Sequence, residues 1–260
     1  HYQFLKVTND GGVLTVMLNR PEVKNAANPG MHGELSRIFG DIDRDDAVKV
    51  VVLTGAGNAF SAGGDLDWLT GLQGDPVATA ASIANDRRIQ NALLDLEKPI
   101  IARVVGPAVG LGCSLALFCD FVYATPDARF ADPHVLVGLV AGDGGAVVWP
   151  QLVGYARARR YLLTGDPITG TEAAEIGLIT AAVPADAIDA AVAAMAARLA
   201  SGPAFALKWT KAAINAGLKV TATAVIDRAA AFENLTMLMQ DHRIALEAMR
   251  SRTKPVFTGH

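Results

Sequence analysis

The chain has 260 residues with 23 lysines and arginines against 26 aspartates and glutamates, a formal net charge of −3, and only 19% of its residues are charged. That balance gives no sequence-wide basic field for a phosphate backbone, and 51% hydrophobic residues without polar low-complexity runs exclude a globally disordered chain. No apolar run reaches the roughly 18 residues of a membrane helix. Cys113 and Cys119 offer neither a metal spacing nor a disulfide framework. His1-Tyr2-Gln3 does not lead into a secretory signal pattern. The expectation is a soluble cytoplasmic protein without a nucleic-acid or membrane partner.

In chain order, Val13 to Leu18 alternates weakly, and Lys49 to Thr54 and Pro99 to Val105 are β-branched runs ended by Gly55 and Gly106, the pattern of buried strands. Between them, Met31, Leu35, Ile38, Phe39 and Ile42 recur at helical spacing, as do Ile83, Ile89, Leu93 and Leu96. A helix is expected over Leu111 to Phe118, a strand over Asp120 to Ala124, a motif-bearing loop from Ala131, and a helix near Tyr155 to Leu163. Beyond Pro184 the alanine-rich stretches Ala185 to Ala200, Pro203 to Ala216 and Thr221 to Arg250 read as helices. This divides the chain into an α/β core, 1–200, and a helical C-terminal region, 201–260. The last stretch, apolar along Val225, Ala229, Phe232, Leu235 and Met239, is expected to pack on the core or on another subunit.

Two glycine-rich segments follow strands: Thr54 to Leu66, and Gly106-Pro107-Ala108-Val109-Gly110-Leu111-Gly112-Cys113-Ser114. Such loops bring backbone N–H groups close to a ligand, and a helix opening after Gly110 aims free donors at the same point, which suits an anionic oxygen. The plain alternative is a pair of tight turns. A dinucleotide fingerprint fails, because its third glycine would fall at Leu115, and no phosphate-binding Gly-Lys-Ser/Thr occurs.

Four ordered motifs cover nearly the whole chain: Leu18-Asn19-Arg20-Pro21-Glu22-Val23-Lys24-Asn25-Ala26, Phe60-Ser61-Ala62-Gly63-Gly64-Asp65-Leu66, Gly106 to Ala116, and Cys119-Asp120. The ending Lys254-Pro255-Val256-Phe257-Thr258-Gly259 joins them. Together they resemble the crotonase (enoyl-CoA hydratase/isomerase) superfamily. The resemblance implies a spiral of ββα units with a helical C-terminal trimerisation region, assembled as a homotrimer or a dimer of trimers. It also implies acyl-CoA chemistry, with no permanently bound cofactor and coenzyme A arriving as part of the substrate. By position, the N–H groups of Gly64 and Leu111 form the oxyanion hole, and main-chain contacts around Lys24, Ala26, Ala62 and Leu66 hold the CoA moiety.

The two glutamates that hydratases of the superfamily use fall at Ser114 and His134, and neither is a carboxylate. A serine hydroxyl cannot trade a proton near neutral pH unaided, so two-glutamate hydration is not expected. Instead His134 is followed nine residues on by Asp143 in a glycine-rich loop. An aspartate orienting the imidazole would let His134 act as a base toward water. This stretch resembles that of 6-oxocamphor hydrolase, a superfamily enzyme that cleaves a carbon–carbon bond of a non-CoA β-diketone with a His/Asp pair. The same resemblance puts Glu233 near the substrate carbonyl as a supporting acid. The structural alternatives are a satisfied histidine at a strand end, a turn aspartate, and a glutamate paired at a subunit interface. His32 and His242 are expected on helices without motif support, and no residue spacing suggests a metal.

The sequence therefore points to an enzyme acting on an acyl-CoA or related carbonyl substrate through an oxyanion hole. His134 and Asp143 stand where hydratases carry glutamates, with carbon–carbon hydrolysis of a β-dicarbonyl as the mechanistic expectation. The alternatives are an enoyl-CoA hydratase with rearranged acid/base groups and a non-catalytic acyl-CoA binding protein.

Overall fold

The chain begins with a hairpin that the sequence pattern does not reveal. In the computed structural model, which describes residues 1–260, β1 (Leu5–Asp10) pairs antiparallel with β2 (Val13–Leu18), Leu5 opposite Leu18 and Asp10 opposite Val13. The two-residue turn needs positive φ at both positions, and Gly11 (58°) and Gly12 (92°) supply it. Only Leu5 of β1 is buried, so the strand leaves no periodic signal. β2 buries Leu14, Val16 and Leu18 in strict alternation.

From β2 onward the chain winds as a spiral, each turn giving a strand to a large sheet, a short extended segment to a second stack, and at least one helix. The first turn is β2, the segment at Ala27, and α1 (Pro29–Asp43). In the second, β3 (Val50–Gly55) leads through Ser61 and Gly64 to α2 (Leu66–Leu72) and α3 (Pro76–Asp95). The third consists of β4 (Ile100–Val104), β5 (Pro107–Val109) and α4 (Leu111–Leu117). The fourth runs through β6 (Phe121–Ala124), β7 (Arg129–Ala131), a 3-10 turn at His134–Val137, and α5 (Gly145–Thr164), which is broken into two helical pieces at Gly154, where φ is 77°.

β2, β3, β4 and β6 pair in parallel, and the short segments bridge in the same succession: Ala27 to Gly64, Ser61 to Ala108, β5 to β7. β8 (Ile168–Thr169) runs antiparallel to β7, and α6 (Gly170–Glu175) leads to β9 (Ala181–Ala182), which completes a sheet of order β1-β2-β3-β4-β6-β9. The short stack matters most for function, because its strands end where the glycine loops begin.

α1 shows why these residues make these elements. Asn28 caps it by accepting from the Met31 N–H, Pro29 occupies the first turn, and the stripe Met31, Leu35, Ile38, Phe39 and Ile42 is buried. The continuous β-branched run of β3 follows from burial on both sheet faces. Val51 and Leu53 face the main core, while Val50 and Val52, with Ile101, pack on Ile188, Val192 and Ala196 of α7 (Ile188–Ala200).

Two long helices finish the chain, α8 (Ala204–Met237) and α9 (Gln240–Ser251). The expected break between Ala216 and Thr221 is absent. Gly217 costs about 1 kcal/mol inside a helix, but Leu218, Ala222, Val225 and Ile226 pack on the main core and carry the helix through. The break falls at Leu238 and Met239, where Met239 turns extended. Lys211 of α8 anchors the helix by donating to the Lys98 carbonyl (2.9 Å) and pairing with Asp120 (2.8 Å). On the expected apolar face Ala229 is buried and Val225 partly so, whereas Phe232, Leu235 and Met239 are exposed on the single chain. No single helix is long and apolar enough to cross a membrane.

Candidate active site

Segments from all four turns of the spiral and from the C-terminal helices meet at a cavity of about 170 Å³, lined among others by Gly64, Leu111, His134, Asp143 and Glu233. Five residues singled out from sequence, drawn from four separate stretches of chain, thus face one space.

The oxyanion donors follow from backbone pairing. Ala27 donates to the Gly63 carbonyl and accepts from the Asp65 N–H. A parallel bridge of this kind uses the groups on either side of Gly64 and turns Gly64's own N–H away from Ala27. Leu111 opens α4, where helix geometry leaves the first N–H groups without intrahelical partners. Gly110 precedes it with φ of 52°. A Cβ there would make only an ordinary 3.6 Å contact with His134 Cε1, so it is the left-handed dihedral rather than a lack of space that favours glycine beside the imidazole.

His134 is held from both ring nitrogens. Asp132, just past β7, lies 2.5 Å from Nδ1, and Asp143 lies 3.4 Å from Nε2. Asp143 also accepts from the Ser114 hydroxyl at 3.0 Å. The structure therefore divides the role assigned to Asp143: Asp132 fixes the ring, and Asp143 sits on the side where a proton would be exchanged. Ser114 positions a carboxylate rather than replacing one. Ligand atoms of Asp132, His134 and Asp143 lie within 4.8 Å of one another, and each carboxylate answers a different ring nitrogen, Asp132 by a hydrogen bond and Asp143 by an ion-pair contact.

Electrostatics follow from this placement. Burial alone would lower the pKa of His134, but the charges of Asp143 and Asp132 outweigh it and raise the imidazole well above its usual value. Burial works in the opposite sense on Asp143, yet His134 and Ser114 hold its carboxyl below the ordinary range. Glu233, on α8, is pushed well above the usual glutamate value by burial and then by Asp86, and its Oε2 has no hydrogen-bond partner. One cavity thus holds an ionised aspartate, a proton-bearing imidazole and a glutamate biased toward its neutral acid.

The remaining predicted residues lie on the segments next to the first glycine loop. Lys24 is exposed with φ of 54°, and its carbonyl accepts from the Ala62 N–H at 2.9 Å. Ala26 is buried, and its carbonyl accepts from Arg20. Leu66 begins α2, and among the four only Ala62 lines the cavity itself.

Sequence reasoning left out Asp132 as a functional group, and also His32 and Asp86. His32 Nε2 on α1 lies 2.6 Å from Asp86 Oδ1 on α3, and both line the cavity. The available signal was polar residues on buried stripes: His32 beside Met31 and Leu35, and Asp86 three residues before Ile89. His242 is buried on α9, where its Nδ1–H donates to the Val137 carbonyl at 2.6 Å and so clamps the turn that carries His134.

The fold and the cavity define a class: residues 8–260 match the family model described as enoyl-CoA hydratase/isomerase, and the chain belongs to that family, within the crotonase superfamily. Among its relatives, 1,2-epoxyphenylacetyl-CoA isomerase of Escherichia coli is 33% identical over 99% of both chains. Crotonyl-CoA hydratase of Syntrophomonas wolfei is 31% identical over 98% of both. A crystal structure of an enoyl-CoA hydratase/isomerase from Mycobacterium paratuberculosis superimposes with a TM-score of 0.91 at 37% identity, covering 94% of this chain and 97% of that one.

Proposed function

We propose that this enzyme binds an acyl-CoA, or a related carbonyl compound, with its carbonyl oxygen between the Gly64 and Leu111 N–H groups, and that the His134–Asp143 pair moves the proton. The observation that carries this reading is the juxtaposition of a carboxylate and an imidazolium beside two backbone donors. As charge develops on the oxygen, each preorganised donor is worth on the order of 3 kcal/mol. Asp143 is placed to accept a proton from water or from the carbon beside the carbonyl. His134 Nε2–H is placed to return one, with Asp132 keeping the ring in register. Coenzyme A enters as part of the substrate, held around Lys24, Ala26, Ala62 and Leu66, and no permanently bound cofactor takes part.

A hydrolytic reading is favoured by a second acid in the same cavity, the neutral form of Glu233. Water would attack one carbonyl of a β-dicarbonyl while the His134–Asp143 pair takes its proton. The carbon–carbon bond would break with its electron pair passing to the second carbonyl, held as an enolate by Gly64 and Leu111. Protonation of the enolate carbon, by His134 or Glu233, would complete the balance.

Wild type and His134→Ala are to be incubated with short enoyl-CoAs, β-ketoacyl-CoAs and cyclic β-diketones, with products read by mass spectrometry. Turnover in the wild type, reduced by about 10²–10⁴-fold in the variant, is expected. Hydration or cleavage products then separate the two readings. Unchanged turnover in His134→Ala refutes both, and binding without any turnover indicates a non-catalytic acyl-CoA binding protein.

A further inference from the structure

The wall of the cavity made by α1, α3 and α8 is polar in a way that proton transfer at the thioester does not explain. His32 and Asp86 are 1% and 7% exposed and bonded to each other. Ser82, also buried, lies one helical turn before Asp86. Glu233 lines the same cavity, while its Oε2 is shut in against Gly142 without a hydrogen-bond partner, the residue being only 3% exposed. Trp68, Leu69, Leu139 and Met237 give the cavity an apolar body alongside this patch. His32, Trp68 and Ser82 also line a second cavity of about 330 Å³, so the patch lies between the two spaces, on the side toward which a longer acyl chain would be directed.

A hydrocarbon acyl chain passing this point would strip water from Asp86 and Ser82 beside an already dry Glu233 and give nothing back, a combination that binding sites avoid. An oxygen function there resolves the mismatch. A hydroxyl can donate to Asp86 and accept from Ser82 or from the acid form of Glu233, and a ketone can accept from the latter two.

We infer that His32, Ser82, Asp86 and Glu233 form a recognition subsite for a hydroxyl or ketone oxygen borne on the acyl group away from the thioester, so that the substrate class is an oxygenated acyl-CoA. Asp86 is the polar contact, and His32 positions it through the 2.6 Å hydrogen bond. This rests on the acyl-CoA reading of the cavity but is independent of whether the reaction is hydration or hydrolysis.

The test uses saturated acyl-CoAs of one chain length, which undergo no reaction at the thioester carbons. Titration calorimetry compares hexanoyl-CoA with hydroxy- and oxohexanoyl-CoAs substituted at the fourth, fifth or sixth carbon. At least one oxygenated compound is expected to bind wild type about tenfold more tightly than hexanoyl-CoA. Asp86→Asn and Ser82→Ala are each expected to reduce that preference by about fivefold or more, leaving hexanoyl-CoA within about twofold of its wild-type affinity. Ser82→Ala removes only one hydroxyl and serves if Asp86→Asn does not fold. Hexanoyl-CoA binding as tightly as every oxygenated analogue, or a preference that survives the substitutions, overturns the subsite while leaving the acyl-CoA reading intact. Failure of every acyl-CoA to bind overturns both. A stronger effect with the hydroxyl series identifies Asp86 as the main contact, and one with the ketone series identifies Glu233 and Ser82; either outcome supports the subsite.

Discussion

At the scale of single residues, the site is a set of carboxyl groups driven to different protonation states by their surroundings. Glu233 is buried and repelled by Asp86, so its folded pKa lies well above 4.5. The folded chain then holds a proton that the unfolded chain loses above that value, and stability falls as pH rises from about 4.5 toward the folded pKa. Glu233→Gln is expected to remove this slope, about 1 kcal/mol for each pH unit within the window. Thermal melts from pH 5 to 8 should show the variant falling less steeply than wild type, and parallel curves would refute the assignment.

His134 has the same sign for a different reason. Its pKa is raised above 6.5 by Asp143 and Asp132, so its contribution is full below that value and is lost as pH rises through the folded pKa. Its imidazole carbon resonance in NMR is therefore expected to remain that of the charged form at pH 7.5. A midpoint at or below 6.5 would contradict the two-aspartate cradle.

The elements that hold these groups depend on close approaches between backbones. α9 sits on the turn carrying His134 because Gly138 has φ of 68° and no side chain. A Cβ there would stand 2.9 Å from the His242 nitrogen and 3.0 Å from the Asp241 carbonyl carbon. Gly138→Ala combines an unfavourable dihedral with displacement of α9, for an expected cost of about 1–3 kcal/mol in denaturant melts. Hydrogen exchange should accelerate first over Gln240–Ser251, ahead of the large sheet. Uniform acceleration would mean that the turn and α9 do not form a separate clamp.

Across the whole molecule, α8 closes the core and also presents a face that one chain leaves uncovered. Ala222, Ile226, Ala229 and Met237 are buried, while Phe232, Leu235, Leu238 and Met239 stand about half exposed around Glu233. Exposed apolar groups gathered in this way favour self-association, which supports a trimeric or hexameric assembly as a proposal. Light scattering after size exclusion is expected to give a multiple of three chains for wild type and a smaller species for Leu235→Glu/Leu238→Glu. A monodisperse monomer at micromolar concentration would refute the assembly.

Much of this organisation was legible from residue order. The β-branched runs fixed β3 and β4, because strands buried on both faces admit little else, and the helical stripe of α1 lies where its spacing places it. His134 and Asp143 stood out because they occur together in a glycine-rich loop. Other features carried no local mark. β1 and the two- and three-residue strands are too short or too exposed to show a period, and Gly217 imitates a helix break that core contacts around it override. His32 and Asp86 lie 54 residues apart, and only the packing of α1 on α3 joins them. Asp132, two residues from His134, gained its role from the turn that brings its carboxylate to Nδ1. The sequence by itself determined the strand and helix types, the glycine loops and the family. Tertiary structure alone decided which carboxylate meets which nitrogen and which acids are buried, because proton affinity depends on distance and solvent exclusion between groups that are remote along the chain.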